Sequence, residues 1–392
     1  RHDHLRVPMT DTGRTAADPE SLGVDPAGLQ RAADRIQAEV DTGRLPAAQL
    51  AVARHGQLIL DVSFGSATTA DRFVVYSCTK AFTGGVIWQL LGEGRLALDD
   101  PAARYVPSFG ANGKNAVTIA HLLTHTGGFP HAPLGPPLWD SAEGRNEAFA
   151  RWRLDTEPGT HFEYHPTSGH WVLGAVVEAI LGQPLGEAID ERLCRPLGLT
   201  FGLGQPPEAQ GPIANPVAVG EPPSPDELRA VFGTDGFDLG EVTPEVLTMF
   251  AKPGVRAVGV PGAGGVATAA DLARYYQALM ANPDGMWDPE ALRLATQEIL
   301  VNLPDPMLGF AANRSAGLII AGHDGNNTLR GFGAGCSPRT FGHNGAGGQI
   351  SWADPDTGLS MGFVTSGIDA NNLREARRTI SIASKVADSV SG

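Results

Sequence analysis

The 392-residue chain sets 43 Asp and Glu against 29 Lys and Arg, a net charge of −14, and has no basic stripe, which argues against a nucleic-acid partner. Apolar residues make up 42%, enough for a sizeable core, and no run of 18 apolar residues offers a membrane span. Cys78, Cys194 and Cys336 stand far apart, and no Cys, His, Asp or Glu cluster has ligand spacing, so no disulfide framework, metal or cofactor is expected.

Residues 1–24 read as an N-terminal tail. Arg1 to Asp18 is charged and holds no secretory apolar segment, which makes a cytoplasmic location the default, although a signal peptide already removed would leave no trace. Met9 is a candidate natural start, which leaves open whether Arg1–Pro8 is native. Asp25-Pro26 supplies an N-cap and an N1 proline for a helix whose apolar face is Leu29, Ala32, Ala33, Ile36 and Val40. Two strands, 49–53 and 58–62, follow around a His55-Gly56 turn.

An apolar run, Phe73 to Tyr76, leads into Ser77-Cys78-Thr79-Lys80 and a proline-free helix that ends at Gly92-Glu93-Gly94. Ser77 and Lys80, three positions apart, share one helical face. A lysine amine whose pKa is lowered by burial or a nearby cation can take the proton from such a serine. The rival reading is a helix capped by Ser77 with a solvated Lys80. Against it, 25 of the 29 cations are arginine, yet a lysine stands here, and only lysine can act as a base near neutral pH.

Further on, 117–126 is expected to be helical and to run into His125-Thr126-Gly127-Gly128. Residues 130–139 form a Pro-rich loop carrying His131. Glu163-Tyr164-His165-Pro166-Thr167 precedes an apolar helix, Trp171 to Leu181. Residues 204–225 read as a long surface loop or lid, and 262–266 leads into a helix over 269–280. Strands are expected over 316–321, 347–353 and 359–366, with a tight turn at 354–358 and a terminal helix over 371–390. The pattern predicts an α+β fold, an antiparallel sheet flanked by helices and built from 25–95 and 255–392. A mainly helical insertion with long loops fills 96–254.

Several of these pieces occur in one order: Ser77 to Lys80, Leu122 to Gly128, Tyr164, Pro196 to Leu199, Gly264 to Ala273, and Gly342-His343-Asn344-Gly345. Together they resemble the serine β-lactamase and penicillin-binding-protein superfamily, its class C-like branch and the β-lactamase-like carboxylesterases in particular. The resemblance implies that Ser77 is the acylated nucleophile and Lys80 its proton acceptor. It makes Tyr164 a second base, a phenol held near ionisation by neighbouring ammonium charge. His343-Asn344-Gly345 sits where the family has Lys-Thr-Gly. The Ala346 N–H would then join that of Ser77 in the oxyanion hole. His343, Asn344, Gly345, His165 and Thr167 are the expected substrate contacts; His125 is assigned to loop hydrogen bonding.

Two departures bear on the reaction. Pro166 stands where the family has an Asn, so that amide contact is missing or comes from Thr167 or Ser168. A histidine also replaces the lysine whose permanent charge suits carboxylate-bearing substrates. Both favour a cofactor-free carboxylesterase acting on a small-molecule ester, with oligomeric state left open. The alternatives are a β-lactamase, a D-Ala-type peptidase or transacylase, or a sensor that is acylated without turnover.

Overall fold

A computed structural model describes residues 17–236 and 240–390. The expectations for Arg1–Pro8 and Met9 lie outside that range. Six strands form the main sheet: β1 (Ala47–Arg54), β2 (Gln57–Gly65), β3 (Ile319–Ile320), β4 (Phe341–Gly342), β5 (Ile350–Asp354) and β6 (Leu359–Thr365). Their order is β2-β1-β6-β5-β4-β3, antiparallel throughout, so both ends of the chain build one sheet. The β1–β2 turn has φ of 48° at His55 and 79° at Gly56, the left-handed pair that a two-residue hairpin demands.

β1 is buried on both faces because helices cover both sides of the sheet, and its alternation is one of size. Leu50 and Val52 face α1 (Pro26–Asp41) and the terminal helix, whereas Ala47, Ala51 and Ala53 belong to the core on the other face. These small residues let a helix over Ala269–Ala281 lie close to the sheet. A Cβ on Gly362 would stand 2.2 Å from the Ala269 carbonyl oxygen. Asp25 caps α1 by accepting from Ala27 N–H and Gly28 N–H, a contact worth about 1 kcal/mol.

Four further helices matter to the site: α2 (Thr79–Gly92), α3 (Ser168–Leu181), α4 (the 269–281 helix) and α5 (Asn372–Ala387). α2 is buried nearly all round. Phe82 stacks between Phe201 and Tyr275, with ring centroids 3.8 and 4.1 Å away.

Several expectations need correction. The described part of the expected tail is anchored: Ala17 N–H donates to Leu58 O, and Arg54 binds the carbonyls of Leu22 and Gly23. The helix expected over 117–126 is five residues, Ile119–Leu123, capped reciprocally by Thr118 and His121 and stopped where His125 turns left-handed at φ 57°. The 204–225 stretch, expected as a long surface loop or lid, is mostly loop but is tied down by two short strands. Ile213–Ala214 pairs with Arg72–Val74, and Val217–Val219 pairs with Gly367–Asp369. The expected 316–321 strand narrows to β3, and 347–348 belongs to a turn before β5, with φ of 79° and 93°.

Candidate active site

Ser77 lies in a 3₁₀ turn, Tyr76–Cys78, that continues into α2. Tyr76 enters it left-handed, at φ 45°, a conformation that costs a non-glycine residue about 1 kcal/mol or more. Its hydroxyl donates to Leu247 O at 2.7 Å and its ring meets Phe250 edge-on at 5.6 Å, which holds the turn in place. Cys78 is fully buried, and burial pushes its thiol up to about 12.

Lys80 is 0% exposed and has no carboxylate partner among the described residues, which removes the reading of a solvated first-turn lysine. Its Nζ lies 3.1 Å from Ser77 Oγ, 2.7 Å from Pro166 O and 2.8 Å from Gly262 O. Nζ donates to all three oxygens; once it has lost a proton, the two carbonyls satisfy its two remaining N–H donors and its lone pair faces the serine hydroxyl. Burial lowers the pKa of Lys80; Tyr164 raises it, Arg314 lowers it and Glu241 raises it. Gly262 makes the arrangement fit, because a Cβ there would sit 3.1 Å from the Lys80 nitrogen.

Tyr164 donates its hydroxyl to Ser77 Oγ at 2.8 Å, and its ring faces Lys80 Nζ at 5.1 Å. Two buried histidines fix its backbone. His125 O accepts from Glu163 N–H, and His125 Nδ1 accepts from His165 N–H. His165 Nδ1 bonds Glu163 O while its Nε2 accepts from Phe129 N–H. His165 is therefore not the expected substrate contact: both ring nitrogens are occupied by backbone. Burial lowers its pKa to about 4. Ser168 is likewise turned inward, donating to Phe129 O.

On the opposite wall, Gly345 and Gln349 bond each other across a tight turn with Ala346 at its start. A Cβ on Gly345 would lie 2.3 Å from Val75 O, so only glycine lets this edge approach the Ser77 turn. Among the described residues no group accepts from the backbone N–H of Ser77 or of Ala346. The Asn344 side chain is not free for a substrate, since it donates to Gly331 O and accepts from Ser351 N–H. His343 is occupied too: Nδ1 lies 2.8 Å from Asn344 O, and Nε2 lies 3.3 Å from Arg314 Nη1. Arginine can only donate, so Nε2 accepts and the imidazole is neutral. Burial, with Arg314 and Lys80 nearby, pushes its pKa well below the ordinary value.

Two residues that the sequence reading missed complete the site. Arg314 is buried without a carboxylate partner among the described residues. Its guanidinium carbon is 5.3 Å from the ring centroids of both Tyr164 and Phe162, its Nε has no partner, and burial lowers its pKa to about 10. Glu241 lines a cavity of about 190 Å³ that opens on Ser77, Thr167 and Ala346 and is otherwise walled by Leu134, Trp139, Trp171, Val242, Leu247 and Phe250, among others. Its Oε1 is buried without a hydrogen bond. Burial raises its pKa, which His131 and Lys80 pull back down. Neither residue stands in a motif, and a lone Arg or Glu carries no sequence signal. Among the described residues no group of three or more His, Cys, Asp or Glu could hold a metal ion.

A larger groove, about 500 Å³, lies at the other end of the sheet, around His55, Gln277 and Pro355. Its wall includes the β1–β2 turn, whereas the Ser77 turn lies beyond the far ends of β1 and β6.

The Beta-lactamase family profile matches residues 32–383. An Escherichia coli (strain K12) protein that carries the provisional name D-alanyl-D-alanine carboxypeptidase is 27% identical over 384 residues, covering 87% of this chain and 82% of that one. Esterase EstB of Burkholderia gladioli is 31% identical over 318 residues, covering 70% of this chain and 76% of that one. The crystal structure of a family VIII carboxylesterase superposes with a TM-score of 0.72 at 25% identity, over 93% of this chain and 99% of the other. With the α+β fold described above and a profile match across most of its length, this chain belongs to the β-lactamase family.

Proposed function

We propose that the protein is a serine hydrolase that cleaves carboxylic esters through an acyl-enzyme on Ser77. The observation that carries this reading is the placement of Ser77 Oγ, bonded by both Lys80 and Tyr164 at the edge of an apolar cavity. Ser77 Oγ attacks the ester carbonyl as its proton passes to the Lys80–Tyr164 pair. The N–H groups of Ser77 and Ala346 receive the oxyanion, and each such donor is worth about 10²–10³ in rate. The pair then protonates the departing alcohol and later takes a proton from the water that releases the acid.

The choice of an ester over a β-lactam or a peptide with a free carboxylate rests on charge. His343 is neutral with both nitrogens engaged, and Arg314 lies behind it, so no ammonium is presented to a substrate carboxylate. The apolar walls suit a short acyl chain. The decisive experiment sets p-nitrophenyl esters against nitrocefin, with Ser77→Ala as control, and looks for a single fluorophosphonate adduct on the Ser77 peptide by mass spectrometry. Faster turnover of nitrocefin than of p-nitrophenyl acetate overturns the ester reading in favour of a β-lactamase. An adduct without turnover identifies a sensor.

A further inference from the structure

We propose that the pocket beside Ser77 takes an acyl group bearing an amine, whose ammonium pairs with Glu241. The inference deepens the ester-hydrolase reading and rests on it for the acyl group.

Glu241 is the acidic side chain in a cavity walled otherwise by apolar, aromatic and small residues. It makes no ion pair within the described residues, and its Oε1 is buried with no donor. Leaving a charged acceptor in that state is costly, and a ligand that brings its own N–H donors removes the cost. An alkyl chain suits the walls and an ammonium suits the carboxylate, so a short aminoacyl group satisfies both. The volume, about 190 Å³, is below the range of about 300–1,000 Å³ typical of sites for drug-sized ligands, which limits the chain to a few carbons.

The same group bears on catalysis. Glu241 and Lys80 interact electrostatically, and the carboxylate favours the protonated form of Lys80, the form that cannot accept a proton. A substrate ammonium on Glu241 screens that field and leaves Lys80 to its burial, which favours the free amine. A substrate carboxylate in the same place meets repulsion. The site thus discriminates by charge in the sense opposite to the one a lysine at position 343 would impose.

The test uses p-nitrophenyl esters matched in length: pentanoate, 2-aminopentanoate, 5-aminopentanoate and hydrogen glutarate. Wild type is expected to favour one of the amino esters over pentanoate, and pentanoate over the glutarate, by about tenfold or more, the scale of one charge-assisted contact. In Glu241→Gln, and in Glu241→Ala as a second variant, the amino-to-pentanoate ratio of kcat/KM should collapse toward one. A wild-type ratio near one, or a ratio that survives both substitutions, overturns the proposal while leaving ester hydrolysis intact. n-Butylammonium binding, measured by calorimetry on Ser77→Ala with and without Glu241→Gln, supplies a readout that needs no turnover. Binding that depends on Glu241 in a protein that cleaves none of the esters upholds the pocket and sinks the ester reading. The absence of Glu241-dependent binding sinks the pocket.

Discussion

Two lysines of this chain live in nearly the same surroundings and differ in what they face. Lys80 and Lys114 are both 0% exposed, and burial lowers the pKa of both. Each donates to two backbone carbonyls, Pro166 O and Gly262 O for Lys80, Ala111 O and Trp152 O for Lys114. Each also sits against an aromatic ring, 5.1 Å from the Tyr164 centroid and 5.6 Å from that of Phe109. Lys80 alone has a serine hydroxyl in its third direction, and that serine borders a cavity. Burial and a lowered pKa therefore make a lysine available as a base; a hydroxyl facing open space gives it something to do. Rarity of lysine in an arginine-rich chain does not by itself mark a base, because the equally buried Lys114 ties a loop together.

The strongest test of this contrast removes each amine in turn. Lys80→Met should lower kcat by about 10² or more, the scale of lost general-base catalysis, and Lys80→Arg should do the same because arginine keeps the charge without accepting a proton. Lys114→Met should leave kcat within a few-fold of native. Both Met variants strand two carbonyls, so each should lose about 1–3 kcal/mol in urea unfolding. Equal rate losses in the two Met variants would erase the distinction.

Tyr164→Phe sharpens it by taking away the other hydroxyl on Ser77, a partner with no counterpart at Lys114. A fall of about 10–10² in kcat is expected, with a melting temperature close to native. Instability with an unchanged rate would mark Tyr164 as a core residue instead.

How much of this was legible beforehand varied with the kind of contact. That Ser77 and Lys80 meet was legible from their three-residue spacing, and that Tyr164 joins them was implied by the family resemblance. The carbonyls that hold Lys80 could not, since Pro166 and Gly262 bind through backbone and lie 86 and 182 residues away. His165, His343 and Asn344 were expected to meet substrate and instead bond nearby backbone or Arg314, a choice that spacing does not encode. The hairpin and the first helix followed from local turn and cap chemistry, whereas the 204–225 stretch needed strand partners from distant segments to become ordered.

A further effect separates the two regions by pH. Near Lys80, burial holds His125, His170 and His343 well below the usual imidazole pKa and His165 at about 4. These groups are neutral when folded and take protons when unfolded, so their contribution is fully present above pH 6.5 and is lost as the pH falls toward 4. Each removes up to about 1.4 kcal/mol per pH unit in that window. Urea midpoints at pH 7.5, 6 and 5 should therefore decline in wild type and equally in Lys114→Met. A flat profile would contradict neutral burial.

The smallest change is expected from His343→Lys. The new ammonium would stand beside Arg314, and this like-charge neighbour should hold the shift in the nitrocefin-to-acetate ratio below about tenfold, under the full worth of a charge-assisted contact. A larger shift would mean that Arg314 moves aside.

The left-handed Tyr76 has a bearing on how this protein could be redesigned. One ring sets the backbone entering the Ser77 turn and, through Leu247 and Phe250, leans on the wall that an acyl chain would touch. Substrate fit and serine alignment are thereby geared to one part. Carving the 247–250 wall to admit bulkier esters should alter turnover along with affinity, so pocket enlargement and preserved reactivity would have to be selected together rather than one after the other.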